Sequence, residues 1–242
     1  EAPFDEPKST HLWIVNRGIL LAIGRFGEQF RELFQPDVTQ RDAGGNPFHR
    51  GLCQGLYDAD FVNFFNGPTA MGQPTYASHF YDPDTGTNWW GRSTLTALQR
   101  GRDLFNAALL DYQSGKVEAA GYALGVSLHY LTDLGQPMHS TNFTNVSIPL
   151  FWHGGFETIV LNMQSDCPMP EAQTTDDAQN IPDDYFINLA RKSKLLFQHQ
   201  FRYKVPVGQN VMSVSGDLGG LGDAFDDDQH VGVRDILQPM LT

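Results

Sequence analysis

A chain of 242 residues, with 40% hydrophobic, 12% aromatic and 18% charged positions, is long enough to bury a sizeable core and unlike a disordered segment. Its 28 acidic against 16 basic residues leave a formal charge of −12. That opposes unassisted binding to nucleic acid or to anionic membranes, which carry charge of the same sign.

The first ten residues are polar, and Ser9 or Thr10 can cap a helix. Leu12, Val15, Ile19, Ile23, Phe26, Phe30 and Leu33 then step by three and four, which predicts one helix ending before Pro36, with His11 in its first turn. Within it the apolar stretch 18–24, between Arg17 and Arg25, is too short to span a bilayer. Residues 37–50 read as a loop, and a short helical run from Leu52 to Phe61 carries Asp60 near its end. Residues 62–92 read as an ordered loop with a turn at Asp82-Pro83-Asp84-Thr85-Gly86. The helical pattern resumes over 93–113 and breaks at Ser114-Gly115. Val117, Ala120, Leu124, Leu128 and Leu131 mark the core stripe of a central helix, with His129 and Asp133 on a neighbouring face beside Tyr122 and Val126. Residues 165–182 read as an acidic surface loop. Residues 183–204 read as an amphipathic helix with a basic side formed by Arg191, Lys192, Lys194, Arg202 and Lys204. No strand pair emerges, so the expected architecture is an all-α helical bundle in one domain over 1–242.

The chemistry concentrates between residues 122 and 157. His129 and Asp133 stack one turn apart on a helix that Gln136-Pro137 ends. His139 follows the break, and His153 with Glu157 repeats the four-residue pairing. Two His-x-x-x-acid pairs bracketing a third histidine make a donor set that suits zinc, which takes imidazole nitrogen and carboxylate oxygen. His49, His199 and His230 lie outside this pattern. Asp226-Asp227-Asp228 lacks the spacing of an EF-hand loop and reads as a solvated acidic segment.

The stretches THLWIVNR, YDADF, ASHFYDPDTG, SLHYLTDLGQPMH, NFTN and finally His153-x-x-x-Glu157 occur in that order. In this the chain resembles the bacterial zinc-dependent phospholipase C family, which includes the alpha-toxin-type enzymes. The resemblance covers about residues 1–165 and fades beyond. It implies three zinc ions. His79, His129 and Asp133 would serve one, with Asp60 close enough to ligate or to act on its water. His139, His153 and Glu157 would hold the second. His11 and the shared Asp133 would hold the third, with the N-terminal amine and carbonyl. The family's mature chains begin with tryptophan and this chain with Glu1, whose amine can still coordinate if it is the processed terminus.

The same resemblance implies hydrolysis of the glycerol-side phosphodiester of a zwitterionic phospholipid, phosphatidylcholine or phosphatidylethanolamine, at a membrane surface. Asp60 would serve as general base or orienter, and Phe61 and Tyr76 would receive a cationic head group. The protein is expected to be a secreted or periplasmic monomer, and its charge argues against nucleic acid as a partner. No signal peptide is visible, so the chain is expected to be processed already or cytoplasmic. A secreted form allows one disulfide between Cys53 and Cys167. Two other readings remain: a single-strand nuclease of the same trinuclear zinc superfamily, and a zinc-binding protein with closed, structural sites. The sequons at Asn142 and Asn145 fall within the family-like motif and are read as incidental to glycosylation.

Overall fold

The structure, a computed structural model, describes residues 5–34, 46–61, 75–147, 152–167 and 184–202. The described elements are helical, and the only strand-like pairing among them is an isolated bridge between Asp82 and Thr87. The all-α expectation holds.

Helix α1, Thr10–Phe26, starts where predicted: Ser9 is its N-cap, its side chain accepting from the Leu12 N–H at 3.3 Å. The apolar pattern continues without a break to Leu33, but the helix does not. Gly27 takes φ 84°, a left-handed value that suits glycine, and a separate helix α2, Glu28–Phe34, follows. Phe26, Phe30 and Phe34 stack in sequence across this joint, with centroids 4.9 and 5.9 Å apart. Helix α3, Pro47–Phe61, begins five residues before the predicted Leu52. Asn46 caps it by accepting from the Phe48 N–H at 2.9 Å, and Pro47 sits at the first position, where a missing N–H costs nothing. Asn46 also donates to the Leu33 carbonyl at 2.8 Å and so ties α3 to the end of α2.

Helix α4, Ala97–Gln113, begins at the Thr96 cap and not at 93, because Leu95 has φ 55° and cannot join it. Helix α5, Val117–Asp133, is the axis of the molecule. It contacts α3 on one side and α4 on the other, and its buried residues run around the helix: Ala120, Gly121, Ala123, Gly125, Val126, Ser127, His129, Tyr130, Leu131 and Asp133. The predicted stripe is only partly right. Val117 is exposed and Leu124 and Leu128 are half-buried, because the face toward α3 is built from glycine. A Cβ on Gly121 would lie 2.0 Å from the Phe48 carbonyl oxygen, and one on Gly125 would lie 2.1 Å from that of Leu52. From the other helix, Gly51 and Gly55 face the Glu118 and Tyr122 oxygens at 2.2 Å. Two G-x-x-x-G spacings thus let the backbones of α3 and α5 touch directly.

Helix α6, Trp152–Met163, and helix α7, Tyr185–Arg202, complete the helices of the described residues. Trp13, Met138 and Phe156 join α1 to α6 in one apolar cluster. Ala190 of α7 joins the α4–α5 cluster, and Ser193 donates to the Gly135 carbonyl at 2.7 Å. One cation of the predicted basic side turns inward: Lys194 pairs with Asp82 and with Asp84, the latter at 2.8 Å, and fastens the 82–87 turn. Cys53 is buried between α1, α3 and α5, Cys167 lies in the α1–α6 cluster, and the two are not bridged to one another. The allowed disulfide is therefore not formed. Burial pushes the Cys53 thiol up to about 12, which makes it inert.

Candidate metal centre

Six separate segments deliver the polar residues that meet at one end of α5. His11 comes from the first turn of α1 and Asp60 from the last turn of α3. His79 closes the short 3-10 turn Thr75–His79, and His129 and Asp133 lie one turn apart on α5. His139 opens the 3-10 turn His139–Thr141 just beyond the Pro137 break, and α6 presents His153 and Glu157 one turn apart.

These residues form three groups, in each of which one ligand atom per residue lies within 4.8 Å of the others: Asp60, His79 and His129; His11, His129 and Asp133; His139, His153 and Glu157. Asp133 Oδ2 lies 2.9 Å from His79 Nδ1 and 3.7 Å from His129 Nε2, while its Oδ1 lies 3.6 Å from His11 Nε2. The carboxylate thus spans two groups, as the resemblance implies, and His129 is shared between them as well. His139 stands between the shared carboxylate, 3.2 Å from Asp133 Oδ1, and the third group.

The orientation of the rings tests whether this set fits a cation. His129 donates Nδ1–H to the Leu56 carbonyl at 3.0 Å, His139 to that of His79 at 2.9 Å, and His153 to that of Phe143 at 2.6 Å. With Nδ1 protonated, each neutral ring has a bare lone pair on Nε2. Those of His139 and His153 face one another at 3.0 Å, and Glu157 Oε1 lies 2.8 Å from the second. Three lone-pair atoms aimed at one point repel unless protons or a metal lie between them. Two further atoms agree: His129 Nε2 and Asp133 Oδ1 are buried and make no hydrogen bond. A ring nitrogen oriented by a carbonyl behind it is the arrangement that metal-ligating histidines use. The donor set therefore fits divalent cations such as zinc.

The electrostatics have the same cause. Burial would raise the Asp60 carboxyl, but His129, His79 and His11 outweigh it and hold it at about 2. Burial would likewise raise Asp133 and Glu157, yet the facing imidazoles bring both far below the carboxylate range. In return, against the effect of burial, Asp60 and Asp133 lift His129 to about 9, and Asp133 with Glu157 lifts His139 to about 10. His11 goes the other way, to about 4, through burial and the charge of His129.

Apart from the buried His129, these residues line one cavity of about 1000 Å³. One part of its wall is the polar cluster; another is apolar, from Val160 and Leu161 of α6 and Phe186 and Leu189 of α7. Tyr76 lines it, half-buried, its ring 5.2 Å from that of Trp89. Phe61 ends α3, but its side chain lies outside the described residues, as do Glu1, His230, Asp226, Asp227, Asp228 and the side chain of His199. His49 sits away from the cluster, 3.6 Å from the Cys53 sulfur. The two sequon asparagines serve the framework: Asn142 donates to the Thr87 carbonyl at 3.2 Å, and Asn145 accepts from the Gly154 N–H at 2.8 Å.

Three supporting residues were not read as functional, although all lie inside the quoted motifs. Phe80 is buried and stacks on the His139 ring at 4.7 Å. Gln136 accepts from the His139 N–H at 3.1 Å and approaches Glu157 Oε1 with its amide nitrogen at 3.4 Å. Thr132 meets His11 Nδ1 at 2.7 Å.

No family model matches the chain. Among curated proteins it is 37% identical over 155 residues to a phospholipase C of Bacillus cereus, covering 64% of this chain and 50% of that protein. It is 39% identical over 162 residues to a phospholipase C of Listeria monocytogenes, covering 65% and 50%. The chain thus spans about half the length of these relatives. Among solved structures it is similar to the alpha toxin of Clostridium absonum, with a TM-score of 0.60 at 20% identity, over 98% of this chain and 63% of that one. The alpha-toxin of Clostridium perfringens gives a TM-score of 0.61 at 18% identity, over 98% and 61%. At such identities these structures speak for the fold alone, and it is the same helical fold.

Proposed function

Since the chain resembles the bacterial phospholipases C in sequence and their alpha-toxin relatives in fold, we propose that it is a zinc-dependent phospholipase C. It hydrolyses the glycerol-side phosphodiester of phosphatidylcholine and phosphatidylethanolamine, releasing diacylglycerol and the phosphorylated head group. The observation that carries this reading is the convergence of three His/Asp/Glu groups on one cavity, with imidazole lone pairs and carboxylate oxygens aimed at common points.

Asp60, His79, His129 and Asp133 hold one zinc, His139, His153 and Glu157 a second, and His11 with Asp133 a third, to which the amine of Glu1 contributes if it is the mature terminus. When bound, these ions acidify water and offset negative charge on a reacting phosphate. The residues of the chain do the rest. Asp60 is the most solvent-accessible acid of its group, its side chain 33% exposed, and it is held ionised beside His129. It can therefore accept or orient the proton of an attacking water at the cavity wall. Tyr76 offers an aromatic face to the quaternary ammonium of choline, with Phe61 as its partner. The apolar wall from α6 and α7 lines the same space.

The protein acts as an exported monomer on lipid surfaces; no helix among the described residues is long and apolar enough to cross a membrane. Metal analysis and head-group release, run together, test the reading. Two to three zinc ions per chain are expected, with turnover of phosphatidylcholine or phosphatidylethanolamine and none of single-stranded DNA. Cleavage of DNA instead assigns the site to the nuclease chemistry. Zinc without turnover of any diester assigns it to a structural role, and absence of metal from protein purified without chelator removes the proposal.

A further inference from the structure

The imidazoles of the centre differ in what stands behind them. His129, His139 and His153 each donate Nδ1–H to a main-chain carbonyl, which no side-chain substitution can remove. Among the described residues His11 has no such carbonyl. Its Nδ1 meets the hydroxyl oxygen of Thr132 at 2.7 Å, across 121 residues of sequence.

A threonine hydroxyl both donates and accepts, so by itself it does not decide which nitrogen of its partner carries the proton. Here the surroundings decide it. The Thr132 hydroxyl also lies 2.8 Å from the Leu128 carbonyl and 2.9 Å from that of His129, both pure acceptors within α5. Its single proton goes to them, and it can only accept from His11. The Nδ1 of His11 must then carry hydrogen, and Nε2 keeps its lone pair. That lone pair faces Asp133 Oδ1 at 3.6 Å, and Asp133 Oδ1 is a buried acceptor without a hydrogen bond. The His11 ring also stacks on His129 with centroids 3.9 Å apart, which leaves it little freedom to turn another way.

We propose that Thr132 is a positioning residue that holds His11 in its Nδ1–H tautomer and turns the Nε2 lone pair toward Asp133. Its consequence for metal binding rests on the reading of the site given above; the tautomer itself does not. Through this one hydroxyl the end of α5 sets the chemistry of a ligand that α1 contributes.

The direct measurement needs no variant. In nitrogen-15 correlation spectra of the metal-free protein at neutral pH, His11 is expected with hydrogen on Nδ1 and a bare Nε2. Hydrogen found on Nε2 overturns the proposal, whatever the metal content. Two variants then test the consequence. Thr132→Val keeps the branched shape and removes the acceptor, whereas Thr132→Ser keeps the acceptor. In a zinc competition titration, Thr132→Val should weaken one of three sites by about tenfold or more and leave the other two unchanged, while Thr132→Ser stays within about threefold of wild type. Equal affinities in wild type and Thr132→Val overturn the metal consequence, including the case where only lipid turnover changes because Thr132 touches substrate. If Thr132→Val fails to fold by circular dichroism, the wild-type tautomer and the Thr132→Ser titration decide. If the wild type binds no zinc, the metal reading fails, and the His11 spectrum still decides the role of Thr132.

Discussion

His129 and His139 show how much of the centre is set by single protons. Their pKa values stand at about 9 and about 10 against an ordinary 6.5, because facing carboxylates outweigh the penalty of burial. Both rings therefore carry a second proton at neutral pH when no metal is present. A metal needs the neutral ring, so loading it must expel these protons. The sign follows: the shifts are upward, so affinity for zinc is expected to climb as pH rises from 6 through about 10 and to level off once both rings are neutral. Calorimetry in buffers of different ionisation enthalpy should register proton release at pH 7; pH-independent binding with no release would contradict it. Ligand deletion is the companion test. His153→Ala leaves only His139 and Glu157 in the third group, and two ligands hold a metal poorly. The expected outcome is the loss of one zinc per chain and a fall in lipid turnover of about 100-fold, read by metal analysis beside head-group release. The ligand types and their local pairing were legible in the sequence, since His129/Asp133 and His153/Glu157 are each one helical turn apart. What stands behind the ligands was not. The Leu56, His79 and Phe143 carbonyls are main-chain atoms with no residue signature, and the proximity of Thr132 to His11 depends on how α1 crosses α5.

Among the elements, the α3–α5 seam explains both what could be read in advance and what could not. Apolar spacing located α1, α4, α5 and α7 and the end of α3, but it placed the buried face of α5 on leucine and valine. The true contact with α3 is glycine against carbonyl, and glycine carries no hydrophobic signal to read. The break at Gly27 and the early start of α3 at Pro47 were missed for a related reason. A continuous apolar pattern hides a single left-handed residue, and Asn46-Pro47 was read as a loop where it is a cap and first turn. The seam also has a functional role. It sets the distance between Asp60 at the end of α3 and the His129/Asp133 pair on α5. A methyl added at Gly125 would lie 2.1 Å from the Leu52 carbonyl oxygen, which is main chain and cannot turn aside. Gly125→Ala should force the helices apart and destabilise the fold by about 1–3 kcal/mol or more, as overpacking does elsewhere. Thermal unfolding measures the first effect. Zinc affinity at the Asp60/His79/His129 group, measured below the unfolding range, should fall as well. Gly18→Ala, on the exposed face of α1 with open space around it, is the matching control and should lower neither.

At the scale of the whole molecule, charge decides which surfaces the protein approaches. A net −12 repels an anionic bilayer over roughly a Debye length, about 10 Å at 0.1 M salt, whereas a zwitterionic bilayer imposes little penalty at that range. On the proposed reading the cavity would add a local preference of a different kind: cations held among Asp60, Asp133 and Glu157 would suit a phosphate, and Tyr76, beside Trp89, would suit the ammonium attached to it. These two contributions separate experimentally because only the first is screened. Vesicles of phosphatidylcholine or phosphatidylethanolamine should be cleaved faster than vesicles of phosphatidylserine or phosphatidylglycerol at low salt. The difference should shrink as salt rises and then reach a floor set by the cavity. Tyr76→Ala should lower that floor, reducing turnover of choline lipids more than turnover of a small soluble phosphodiester that has no cationic group. Equal losses on both substrates would place Tyr76 among the supports of the metal centre and not at the head group. A preference for anionic vesicles at low salt would mean that the surface meeting the membrane carries a sign opposite to that of the whole chain.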